Sequence, residues 1–172
     1  MARYGARIQS QAAQLAGVNS GTTVNGYMGY WGAAASCGYR LRRIKIGVIT
    51  TSAGVPTSQQ ISVGVYRQTV APSGTGIAAS VPGQAFETWT PTDPTGGFFA
   101  ITATTIGTTG PTLATNPIDV ITLNTQSTTD TPWEFMEEII VGTGTANGIA
   151  FVNLGNTLPS LHVINVSAEI EV

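Results

Sequence analysis

Residues Trp133 to Leu154 read WEFMEEIIVGTGTANGIAFVNL, and this stretch decides the fold class. Trp133, Phe135, Glu137 and Ile139 alternate with Glu134, Met136, Glu138 and Ile140. After a connector of Gly, Thr, Ala and Asn, Ile149, Phe151 and Asn153 alternate with Ala150, Val152 and Leu154. A period of two is the spacing of a strand with one buried face. Two such runs around a Gly-rich connector predict a β-hairpin. The connector Gly142–Gly148 exceeds a two-residue turn, so it predicts a longer surface loop. Trp133 and Phe135 are expected to anchor the inward face with Ile149 and Phe151.

The same period recurs outward from this stretch. Leu161–Val172 (LHVINVSAEIEV) places His162, Ile164, Val166, Ala168, Ile170 and Val172 on one face. Tyr39–Thr50 (YRLRRIKIGVIT) is the longest candidate. Tyr39 and Leu41 share a phase, Ile44, Ile46 and Val48 take the other, and the change at Arg42-Arg43 predicts a β-bulge. Ile61, Val63 and Val65 alternate with Ser62, Gly64 and Tyr66. Short strands are expected at Phe86–Thr90 and Phe98–Thr105. Ile118–Leu123 is apolar in both phases and is expected to be central. Turn chemistry separates these runs, as in Pro91–Gly97 and Gly107–Pro117. About eight strands without a convincing helix predict an all-β, antiparallel two-sheet β-sandwich, jelly-roll-like.

A chain of 172 residues fits one domain. Residues 1–36 are rich in Ala, Gly, Ser, Gln and Asn and read as an extended N-terminal arm, leaving 37–172 as the sandwich. The arm carries an aromatic knot, and Tyr27, Tyr30 and Trp31 are its candidate interface residues, to be buried on the parent domain or on another subunit.

Charged residues are only 9% of the chain, against about 25% in an ordinary globular domain. They are also segregated. Every Lys and Arg lies between Arg3 and Arg67, and every Asp and Glu between Glu87 and Glu171. Cross-strand pairing inside one sheet is the expected use, with head-to-tail pairing between copies as the alternative. Seven basic residues under a net charge of −2 argue against a nucleic-acid partner. No apolar run reaches membrane-spanning length, so no membrane helix is expected. The segment after Arg3 and Arg7 is too polar for a signal peptide.

Candidate chemistry is sparse. His162 is the one histidine and sits in an apolar run, which favours a structural role. Glu134, Glu137 and Glu138 could form a carboxylate pair, but Glu137 facing Arg43 or Arg67 across the sandwich is preferred. The glycines of Gly142-Thr143-Gly144 and of 107–110 open no helix, so phosphate cradling is not expected. Asn165-Val166-Ser167 fits a glycosylation acceptor but lies inside a strand. Trp31, Trp89 and Trp133 could form a sugar platform, although core packing is preferred. Cys37 stands alone, which excludes an intrachain disulfide. No enzyme, metal or cofactor is expected.

The opening MARYGAR, the run ISVGVYR, the stretch PWEFMEEIIVGTGTANGIAFVNLGNT and the closing HVINVSAEIEV together resemble small structural proteins of tailed-bacteriophage virions. These are the head decoration (cement) proteins and related minor capsid proteins. The resemblance covers the C-terminal forty residues and, more loosely, the first seven. It implies a β-sandwich on the capsid surface that clamps neighbouring major capsid protein subunits, often as a homotrimer, without catalytic residues. Two other classes stay open: a tail- or fibre-associated module binding host glycans, and a stand-alone lectin-like or hydrolytic sandwich.

Overall fold

A computed structural model describes residues 3–10, 16, 26–33, 35–50, 57–70, 84–85, 87–88, 99–102, 111–126 and 130–172. Its strands are β1 (Arg3–Gln9), β2 (Tyr27–Gly32), β3 (Tyr39–Thr50), β4 (Gln60–Val70), β5 (Gln84–Ala85), β6 (Glu87–Thr88), β7 (Phe99–Thr102), β8 (Thr112–Leu113), β9 (Asp119–Asn124), β10 (Thr131–Val141), β11 (Gly148–Asn153) and β12 (His162–Glu171). All pairings are antiparallel, and no helix occurs among the described residues. A front sheet runs β10-β3-β12-β1-β6 and a back sheet β5-β7-β2-β11-β4-β8, with β9 also on β4.

Eight longer strands carry the architecture. In the front sheet they run β10-β3-β12-β1, and in the back sheet β2-β11-β4-β9. Successive long strands swap sheets except from β4 to β9. That is the strand order of an eight-stranded jelly roll, the double Greek key expected from the sequence. The four short strands extend the edges.

The inward phases of both sheets make one core. Ile164, Val166, Ala168 and Ile170 of β12 meet Ile149 and Phe151 of β11, and Ile61, Val63 and Val65 of β4. Trp31 and Phe151 pack edge to face at 4.7 Å. Each fully buried aliphatic or aromatic side chain here contributes about 1.5–3 kcal/mol relative to exposure. The β3 phase change is a bulge at Arg42. Glu169 pairs with Arg43 and Ile170 with Leu41, so Arg42 is the unmatched residue. Were Arg42 paired in register instead of bulged, Tyr39 and Leu41 would face away from Ile44, Ile46 and Val48.

Three expectations are corrected. First, Trp133–Leu154 is not a hairpin. β10 pairs with β3 in the front sheet, while β11 lies between β2 and β4 in the back sheet. Alternation fixes which face is buried but not which strand is the partner. Facing sheets lie about 10 Å apart, which a connector of this length spans. Ala33, just past β2, is tied to this connector, its N–H donating to the Asn147 carbonyl at 3.0 Å. Trp133, Ile149 and Phe151 are nonetheless in the core with Phe135 packed against it, as expected.

Second, the described part of residues 1–36 is no arm. β1 pairs along its whole length with β12, and β2 lies between β11 and β7. Tyr4, Ile8, Met28 and Trp31 are core residues. A low-complexity composition obscured two strands whose burial comes from partners far along the chain, β12 for β1, and β7 and β11 for β2.

Third, Ile118–Leu123 is not central. β9 pairs only with β4 among the described residues, and Ile118 and Val120 are exposed. Its inward phase, Ile121 and Leu123, supplies the core contact.

Candidate interaction surface

The expected interface residues lie inside the subunit. Trp31 is 0% exposed in the sandwich core. Tyr27 and Tyr30 join Tyr66, Ala150 and Val152 in a second buried cluster on the outer side of the back sheet. The Tyr27 hydroxyl donates to Gln68 Oε1 at 2.8 Å. Burial pushes the Tyr30 hydroxyl up to about 12, and drives Tyr27 well above its ordinary value, with Tyr30 beside it adding to the effect. Of the two alternatives, the aromatic knot therefore packs on its own domain, and it offers no docking surface. Trp31 Nε1 and Gln68 Nε2 are buried without a hydrogen-bond partner among the described residues.

The remaining chemical candidates resolve as structural features. His162 is fully buried. Its Nε2 accepts from the Thr57 N–H at 3.3 Å, so Nδ1 carries the hydrogen and donates to the Ser160 carbonyl at 2.9 Å. Both ring nitrogens are occupied by backbone. Asn165 is buried and takes Arg7 Nε on its Oδ1 at 2.6 Å, which leaves the glycosylation pattern inaccessible. Trp31 and Trp133 are buried in separate sheets and make no shared sugar platform, and Trp89 lies outside the described residues. Gly144 takes a positive φ within a turn closed by Asn147 N–H to its carbonyl, and no helix follows. The loop at 107–110 lies outside the described residues. No group of three His, Cys, Asp or Glu able to hold a metal occurs among the described residues.

What the fold does assemble is a charged outer face on the front sheet. Arg3, Arg7, Arg40, Arg42, Arg43 and Lys45 are six of the chain's seven cations, and all belong to β1 and β3. β12 runs between these strands and presents Glu169 and Glu171 to them. Glu169 bridges Arg43 at 2.9 Å and Arg3 at 3.4 Å, and Glu171 takes Arg42. The pairing of basic N-terminal and acidic C-terminal halves inside one sheet is thus as expected. Both glutamates are buried. A carboxylate so placed needs its cation, because burial without one costs several kcal/mol, about 3–5 for a fully buried pair.

β10 forms the edge beside this face. It carries Glu134, Glu137 and Glu138 and no base. Between Glu134, opposite Arg43, and Ile139, opposite Leu41, four residues of β10 face the single bulged Arg42. Glu138 folds back to Arg40 at 3.6 Å and Arg42 at 3.4 Å. Glu137 is exposed and makes no ion pair with Arg43 or Arg67 among the described residues, contrary to expectation. Arg43 is held by Glu169, and Arg67 donates to the Ile140 carbonyl at 2.6 Å. Met136 stands at the crest of this irregularity at 104% relative exposure, with Ile140 also exposed. Strand alternation already placed Met136 and Ile140 in one phase with Glu134. What the sequence did not reveal is that β10 is an edge.

Comparison with protein-family models, with curated proteins and with solved structures finds no match to this chain.

Proposed function

We propose that this chain is a virion structural protein, a capsid decoration (cement) protein that stabilises a phage head by binding neighbouring major capsid subunits as a homo-oligomer, a trimer in the simplest form. The observation that carries the reading is the strand order, β10-β3-β12-β1 over β2-β11-β4-β9. This jelly-roll arrangement recurs in viral capsid and lectin domains. Fold alone does not fix function. Support for this choice among jelly-roll roles comes from the sequence resemblance to phage decoration proteins, and from an outer surface of the front sheet built of ion pairs beside an exposed edge. A closed oligomer would present identical loops to several shell neighbours at once, so that weak contacts sum through effective concentration.

The test is to mix the purified protein with undecorated capsids, follow occupancy by cryo-electron microscopy and measure capsid melting. Added density on the head and a raised melting temperature are expected. Absence of both would overturn the reading, and density confined to the tail would favour the glycan-binding fibre module instead.

A further inference from the structure

The front sheet separates charge by strand. On its outer face β1, β3 and β12 together carry six cations against Glu169 and Glu171, whereas β10 carries three carboxylates and no cation. Of the three, Glu138 is taken up within the subunit by Arg40 and Arg42. Glu134 and Glu137 on the edge make no ion pair among the described residues, and neither does Lys45 on the face. The apolar groups follow the same division. Met136 projects from the edge between Glu134 and Glu137, while Ile49 is exposed in the same outward phase of β3 as Lys45. The adjacent outward position on β12 across from Lys45 is Ser167, and beyond it on β1 lies Arg7.

An acid–apolar–acid edge and an outward row of Lys45, Ser167 and Arg7, with Ile49 exposed further along β3, therefore sit on one molecule. Among the described residues, Glu138 is the one carboxylate of the edge that pairs with cations of the face within the subunit. Pairing β10 with β10 of another copy would oppose carboxylates, and the four-residue irregularity already spoils the ladder such pairing needs.

We propose that the β10 edge around Met136 docks onto the outer face of the front sheet of a second copy, with Glu134 and Glu137 meeting Lys45 and Arg7 and Met136 covering Ile49. This contact is heterologous, so it closes into a ring when the rotation allows. It deepens the homo-oligomeric part of the proposed function and does not depend on the capsid.

The test measures the mass of the full chain by light scattering and native mass spectrometry, at low and raised salt, for folded proteins only as judged by circular dichroism. Wild type forms a closed oligomer that weakens with salt. Glu134→Lys with Glu137→Lys, and separately Lys45→Glu with Arg7→Glu, each weaken association about tenfold or more, and mixing the two variants restores it. Met136→Asp dissociates the oligomer and Met136→Leu retains it. A wild type that stays monomeric at its solubility limit overturns the contact. So does a Lys45→Glu/Arg7→Glu variant that assembles as wild type does. Capsid occupancy remains separately measurable in either case.

Discussion

Trp133 Nε1 donates to Asp119 Oδ2 across 2.7 Å, and the two residues belong to different sheets. Trp133 lies near the start of the front-sheet edge strand and Asp119 starts the back-sheet edge strand, so this bond closes one open side of the sandwich. Arg67 of β4 makes a second tie to the β10 backbone at Ile140. Asp119→Ala should lower stability by about 1–3 kcal/mol, because the buried indole N–H loses a charged acceptor. Trp133→Phe keeps most of the ring contact and removes the donor, so Asp119→Ala should cost much less in that background. Equal costs in both backgrounds, measured by urea unfolding, would show that the bond does not couple the sheets.

Removal of residues 1–10 should unfold the domain rather than trim it. β1 completes the front sheet beside β12 and buries Tyr4 and Ile8, and the Ser10 hydroxyl accepts the Ile164 N–H at 2.8 Å. Ile8→Ala alone should cost about 2–5 kcal/mol. Limited proteolysis that releases the N-terminus and leaves the melting temperature unchanged would contradict this placement.

Much of this was legible in the chain. The period of two marked the buried faces of β3, β4, β11 and β12, and the phase slip placed the bulge at Arg42-Arg43, which the pairing with β12 narrows to Arg42. Connectivity was not legible. The hairpin reading of β10 and β11 failed because their partners, β3 and β2, lie about a hundred residues away, and no local pattern records such a pairing. Whether Tyr27, Tyr30 and Trp31 pack on their own domain or on another subunit was left open by the sequence for the same reason. The candidate surface was half visible: the charge split predicted the Arg–Glu ladder, but Met136 as an edge residue required the strand order.

Two glycines of one connection should respond oppositely to alanine. A Cβ on Gly148 would lie 2.4 Å from the Trp31 carbonyl oxygen, a backbone atom that already accepts from the Tyr39 hydroxyl at 2.8 Å. Gly148→Ala should therefore cost about 2–4 kcal/mol by forcing β2 and β11 apart. At Gly142 nothing lies within 4 Å of the added atom. Gly142→Ala should be neutral, or stabilising by about 0.4–1 kcal/mol through the unfolded chain. Thermal melts of the pair check both signs.

Stability should fall steeply in alkali. An unfolded tyrosine loses its proton near 10, whereas burial raises Tyr30 to about 12 and pushes Tyr27, Tyr39 and Tyr66 upward as well. Above 10 the unfolded chain has released protons that the folded chain retains. The stabilisation is thus complete below that value and is lost as pH rises through the folded range. Urea midpoints should be flat below about pH 9 and drop above about pH 10. Tyr30→Phe should lessen the drop. Tyrosinate absorbance that rises fully before the far-ultraviolet signal changes would show that these hydroxyls titrate in the folded state.

Deletion of Arg42 tests whether the bulge serves the fold or the surface. With Arg42 gone, Tyr39, Leu41, Ile44 and Ile46 fall into one regular alternation, so β3 can pair with β12 without a slip and keep its apolar side chains inward. The fold should survive. The losses are the Arg42 ion pairs to Glu171 and Glu138, which leave the buried Glu171 carboxylate short of its cation. A destabilisation of about 1–3 kcal/mol is expected, below the full cost of an unpaired interior charge because solvent reaches Arg42. The deletion also removes the residue opposite the irregular part of β10, so the projection of Met136 should change and self-association should weaken while the domain stays folded. Adding Glu171→Gln to the deletion should recover part of the lost stability without restoring association. An unfolded deletion variant would place the bulge in the core's own geometry; a folded variant with unaltered association would detach it from the surface.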